Sequence, residues 1–219
     1  LSTDDAKVDI DTAAAAVQRA ALRYDRAGDQ HYDVASALIK SVRGSDADAA
    51  LHYLARMAEA GEDPKFLARR LVISAAEDIG LADPFALTTA VAAAQAVALV
   101  GWPEARIILA EAVVALALAP KSNSVYLAID AAIADVRAGN VGTVPVHLRD
   151  GNLGASRKAG HGGGYVYPHD TDAGVAPQQY APDVVADRQY YVPNSRGAEA
   201  RYADVSQRVR KLLGKDGGD

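Results

Sequence analysis

From residue 11 to residue 139, apolar positions recur with helical spacing, and a glycine or proline closes most runs. "DTAAAAVQRAALRYD" begins the series, and "DVASALIKSVRG" follows it, stopped at Gly44. In "SDADAALHYLARMAEAG", Ser45 reads as an N-cap with Asp48 three residues on. Leu51, Leu54, Met57 and Ala58 then share one face before Gly61. The next two helices have the same start, Asp63 before Pro64 and Asp83 before Pro84. An aspartate there accepts the first free amides, and a proline in the first turn has no amide to leave unpaired. Gly80 and Gly101 end these two runs. "PEARIILAEAVVALALA" opens at Pro103 and stops before Pro120, and "SNSVYLAIDAAIADVRAG" runs to Gly139. The residues around the two Asp-Pro steps do not repeat, so the pattern predicts an all-α helical bundle with short connections and not a solenoid.

From about Val141 the helical period vanishes while glycine, proline and tyrosine rise. "VPVHL" and "RQYYVP" are short extended candidates, too proline-flanked to build a sheet. Residues 139–197 are therefore expected to form an irregular arm held by its tyrosines. A terminal helix over residues 198–213 follows, with Val205, Val209 and Leu212 on one side.

Half of the 219 residues are hydrophobic and 23% are charged, the balance of a soluble chain able to bury a core. The absence of cysteine excludes disulfides and thiolate metal sites and fits a reducing cytosol. The chain begins at Leu1 without a signal-peptide pattern and is read as a piece of a longer polypeptide. The longest apolar run, residues 107–119, is interrupted only by Glu111 and falls short of the roughly 20 residues that span a bilayer. No membrane partner is expected. Net charge is −5, divided as −6 over residues 1–138 and +1 over residues 139–219, so there is no strong basic field for non-specific nucleic-acid binding.

The candidate chemistry is sparse. No G-x-x-x-x-G-K-[ST] string occurs, and "LLGKDGG" lacks both the first glycine and the hydroxyl residue. This chain is expected to hold no nucleotide, no metal and no catalytic centre. "HGGG" at residues 161–164 has the look of an esterase oxyanion loop, but no G-x-S-x-G elbow or sheet accompanies it. The histidines, His31, His52, His147, His161 and His169, lack helical ligand spacing, although a loop can bring His161 to His169. Glu77 and Asp78 sit where a helix ends, against its dipole, which calls for a compensating cation, either Arg69 or Arg70 on the same helix or a basic residue elsewhere. They read either as a catalytic carboxylate pair or as an ion-pair network. Lys40, Arg43, Arg69, Arg70 and Lys121 all lie near helix ends, as a phosphate-contacting patch or as solvated charges.

"TTAVAAAQAVALV" and "IILAEAVVALALA" are apolar on nearly every side. Such helices must be surrounded, by their own domain as a buried hairpin or by another subunit. Two adjacent ones favour self-association through close, small-residue packing.

Several strings together carry a family resemblance. "RYDRAGDQHYDVASALIKSVRGSDADAALHYLARMAEAGEDP", "ARRLVISAAEDIGLADP" and "APKSNSVYLAIDAAIADV", followed in order by "VPVHLRD", "GYVYPHD" and "RQYYVPNSRGAEA", resemble the C-terminal region of the replication-associated recombination protein A family. These are bacterial AAA+ ATPases related to Werner-helicase-interacting proteins and, more distantly, to clamp loaders. The resemblance implies that residues 1–61 end a helical region attached to the ATPase lid, and that residues 62–219 form a collar-like oligomerisation domain, assembling a homotetramer. It implies a parent that is a DNA-dependent ATPase at stalled forks, with ATP and magnesium in a core outside this chain. DNA and single-strand-binding protein are the implied partners, and a cytoplasmic, nucleoid-associated location follows. The sharpest matching positions are His31, Tyr32 and Asp33; Lys40, Ser41, Arg43 and Gly44; Glu77 and Asp78; and Lys121, Ser122 and Asn123. None receives a catalytic role. A DNA-binding module that contacts phosphates through the helix-end lysines and arginines is the alternative reading. The chain departs from the family pattern at "GNLGASRKAGHGG", which keeps the basic Arg157 and Lys158 but is richer in glycine than the "NAPTKLMKELGYGKG"-like stretch of the family. There the glycines are expected to bend the arm while Tyr165 and Tyr167 pack against helices.

Overall fold

The computed structural model describes residues 10, 13, 29–151, 154 and 158–215. Their regular structure is entirely helical, and the chain divides into two compact units, Leu1–Lys121 and Ser122–Asp219. Apart from residue 13, which is helical, the helix expected over residues 11–25 lies outside the described residues, as does Arg157 of the basic pair. No helix among the described residues is long and apolar enough to cross a membrane.

The first unit holds α1 (Asp29–Arg43), α2 (Ala47–Glu59), α3 (Pro64–Ser74), α4 (Ala86–Val100) and α5 (Ala105–Leu118). Asp63 caps α3 as its sequence predicts, accepting from the Lys65 amide at 3.0 Å with Pro64 in the first turn. Two expected starts shift. Ser45 does not cap α2; it takes the left-handed turn after α1 at φ 64°, and Asp46 caps instead, accepting from the Ala49 amide at 2.9 Å. Asp83 accepts from the Phe85 amide at 2.9 Å, which closes a turn, and α4 begins only at Ala86. α3 itself does not simply stop at Gly80. It widens into a π turn, Ala75–Ile79, and then a 3-10 turn, Gly80–Ala82.

α5 contacts each of the other four helices, which explains its apolar circumference from within the unit. Ala105, Leu109, Ala112, Val113, Leu116 and Ala117 are all buried on it. α4 is different, because it buries only Ala86, Ala90, Ala93 and Val97, while Leu87, Val91, Leu99 and Val100 face outward.

The second unit holds α6 (Ser124–Arg137), a long irregular arm and α7 (Ala200–Leu212). The arm carries 3-10 turns at Val146–Leu148, Pro168–Asp170, Asp183–Val185 and Gly197–Glu199. "VPVHL" is therefore a turn and not an extended segment, since Pro145 leads directly into it. Backbone pairing in the arm is replaced by side chains. Gln178 accepts from the Val166 amide at 3.1 Å and donates to the Val166 carbonyl at 2.7 Å. The only apolar residue buried among the described residues of this unit is Ala176. Val205 and Leu212 of α7 remain exposed, and so do Tyr165 and Tyr167, against the expectation that those tyrosines pack.

Candidate functional site

Four-residue spacing puts Tyr32, Ser36 and Lys40 on successive turns of α1, and Phe66 and Arg70 on successive turns of α3. With Arg43 they bound an open groove of about 290 Å³ whose floor includes buried Ile39. Three of the five cations singled out in the sequence thus meet, and the groove has two distinct ends.

The aromatic end is set by His31. Its Nδ1 lies 3.0 Å from the Glu62 carboxylate, while its ring meets Tyr32 edge-on at 5.3 Å and Phe66 at 5.5 Å. Arg69 does not line the groove; its guanidinium lies over the Phe66 ring at 5.5 Å.

The cationic end is set by the π turn. Widening the helix there swings Asp78 inward to 5% exposure, where the Ser74 hydroxyl donates to it at 2.8 Å. Arg43 donates through Nε to Asp78 and through Nη2 to Glu77 at 3.1 Å. Of the cations expected to compensate these carboxylates, it is the one from elsewhere, Arg43 of α1, that does so. Lys121 lies elsewhere, with its ammonium donating to Ser45 Oγ at 3.1 Å, to the Ala117 carbonyl at 2.8 Å and to the Ala119 carbonyl. It closes the end of α5. Burial lowers its pKa and the charge of Asp78 opposes that shift. Asp33 is exposed on α1, Ser41 is half-buried and Gly44 sits in the turn that follows.

In the second unit, Ser122 and Ser124 are buried and Asn123 is exposed. Ser122 Oγ donates to Ser124 Oγ at 3.2 Å, Ser124 donates to Glu199, and the Tyr191 hydroxyl donates to the same Glu199 oxygen at 2.9 Å. Glu199 is 0% exposed, and sequence reasoning missed it along with Tyr191. A second clasp forms where Asp135 of α6 accepts from Tyr190 at 2.9 Å and Asn140 at 3.0 Å, with Arg188 at 3.3 Å. These hydrogen bonds hold the Asp135 carboxyl below the usual range.

The glycine run serves geometry. Gly162 and Gly164 take φ of 76° and 81°, which a side chain disfavours, and the His161 carbonyl packs against Gly151. The His169 ring lies tilted against Tyr167 at 5.0 Å. No group of three metal-ligating side chains forms among the described residues.

Two family models match. One, described as the MgsA AAA+ ATPase C terminal, covers residues 44–210, and one described as an AAA C-terminal domain covers residues 2–43. The groove therefore joins the last helix of one matched segment to the second helix of the other. An uncharacterized AAA domain-containing protein of Mycobacterium tuberculosis is 56% identical over 96% of this chain and 47% of its own length. Replication-associated recombination protein A of Bacillus subtilis is 52% identical over 87% of this chain and 45% of its own. The ATPase WRNIP1 of Dictyostelium discoideum is 40% identical over 80% of this chain and 20% of its own. The chain thus spans less than half the length of each of these relatives.

Proposed function

We propose, for a chain that belongs to the MgsA AAA+ ATPase C-terminal family, that it joins several copies of a replication and recombination ATPase into one particle. One observation carries this reading. Among its described residues the second unit buries a single apolar residue, Ala176, while α6 holds Val125, Ile129, Ile133 and Val136 exposed along one stripe. A unit of that size does not offset its ordering entropy without apolar burial, so the stripe calls for a partner surface. The outward residues of α4 add to the surface available.

In this reading the lid-associated segment runs to residue 61 and the oligomerisation domain over residues 62–219, assembling a homotetramer. The sequence holds no G-x-x-x-x-G-K-[ST] string, so this reading does not assign ATP and magnesium to its residues. In this reading they belong to the ATPase activity of the whole protein. The whole protein would act on DNA with single-strand-binding protein in the bacterial cytoplasm. Assembly raises the local concentration of ATPase modules, so nucleotide sites between subunits can form.

Sedimentation velocity tests the assembly. Wild type should sediment as an oligomer at concentrations on the order of tens of micromolar. Replacing Ile129 and Ile133 by Asp should release monomers that keep their helical circular dichroism. A wild-type monomer under those conditions rejects the reading.

A further inference from the structure

We infer that the groove between α1 and α3 binds single-stranded nucleic acid, with a base on the aromatic end and phosphates on the cationic end. This rests on the reading that the parent acts on DNA, and it is independent of assembly.

The groove's lining carries no acidic side chain. Of the carboxylates nearby, Glu77 and Asp78 are paired with Arg43 and Glu62 with His31. Lys40 is exposed and Arg70 half-buried, one on each wall, so the cationic end presents charge from both helices. An anionic chain laid along the groove meets cations on both sides, the arrangement that tracks a phosphate backbone. At the other end Tyr32 is 72% exposed, with its ring steadied by His31, and Phe66 lies beside it. Every base has a flat face, and an exposed ring is a platform for it. An acidic peptide offers the same charge, but a peptide anchor residue needs an enclosed apolar socket. Here the ring stands proud of the surface and the groove is open, which favours a base over an anchor.

Net charge opposes general nucleic-acid binding, so the affinity must be local. That gives the site a two-part signature. Cations set the salt dependence, and the ring sets affinity without changing it.

Fluorescence anisotropy with a labelled oligothymidylate reads both parts on the full chain. Lys40→Gln with Arg70→Gln should weaken binding and reduce the salt slope by about 0.7 for each cation removed. Tyr32→Ala should weaken binding by at least about fivefold while leaving that slope unchanged. Tyr32 and Lys40 are exposed, so neither change empties the core, and circular dichroism checks the fold. Arg208→Gln, an exposed cation on α7, is the control and should bind as wild type does. The inference is overturned if wild type does not bind the strand, or if the groove variants match the control. It is also overturned if an aspartate-rich peptide binds and oligothymidylate fails to displace it, which assigns the groove to a protein partner. Particle size measured on the same samples separates the two readings: an oligomer that ignores the strand loses only the groove, and a monomer that binds it loses only the assembly.

Discussion

Tyr191 and Glu199 show how much a single contact carries where apolar burial is scarce. Burial first, and then the hydrogen bond and charge of Glu199, push the Tyr191 phenol from 10.0 up to about 12. Burial alone would raise Glu199 as well, but the hydroxyls of Ser122, Ser124 and Tyr191 and the Asn194 backbone together outweigh it and hold the carboxyl below its ordinary range. The signs fix a window. A phenol raised by folding stabilises fully below pH 10, and that stability drains as the unfolded chain ionises and the folded one does not, up to about 12. A carboxyl depressed by folding stabilises above its unfolded value and loses that contribution as pH falls through the folded one. The arm should therefore loosen at both extremes. Tyrosinate ultraviolet absorbance should show Tyr191 ionising after most of the ten tyrosines. Glu199→Gln keeps the acceptor and removes the charge, so Tyr191 should titrate earlier, yet still above an ordinary phenol because burial is the larger cause. A return to the ordinary value would show that charge, not burial, governs the site.

At the scale of elements, α4 and α5 are neighbours that both bury alanine, Ala90 and Ala93 on one and Ala105, Ala112 and Ala117 on the other. Ala90 is buried, and at interior packing density added methylenes must displace its neighbours. Ala90→Leu should cost about 1–3 kcal/mol, read as a lower urea midpoint at unchanged slope. Ala92→Leu, one face round and exposed, should change stability by less than about 0.5 kcal/mol. A small loss at Ala90 would mean that the helix pair yields. These helices were legible in the sequence because their signals are local, as with the Asp63 cap and the apolar run of α5. The same Asp-Pro step gave two outcomes because Asp83 closes a turn before α4 can begin. Ser45 lost the capping role to its neighbour Asp46, a choice made by one residue of turn geometry. The π turn was not legible, and neither was the partner of its Asp78, because Arg43 lies 35 residues away. The Glu199 clasp was hidden for the same reason, with its Ser124 partner 75 residues away. The groove was half legible: its cations stood out, while the alliance of Lys40, Arg43 and Arg70 with Tyr32 and Phe66 needed α1 and α3 side by side.

For the whole molecule, the two units differ in what holds them. The first has one apolar core reaching from Ala35 to Ala119, with α5 through its middle. The second is tied by polar clasps, at Asp135 and at Glu199, and α6 buries only Ser124 among its fourteen residues. A helix of that length has little stability of its own, because nucleation is costly and tertiary packing normally supplies the rest. Its amides should therefore exchange through local opening in a lone chain and be protected when another copy covers the stripe. Hydrogen exchange followed by mass spectrometry at two protein concentrations tests this. α5 should be slow at both, while α6 should be fast when dilute and slow when concentrated. The double Asp variant at Ile129 and Ile133 should keep α6 fast throughout without altering α5. If α6 is slow and insensitive to concentration in the monomeric variant, its stability comes from its own chain, and the exposed stripe is not what assembles the particle.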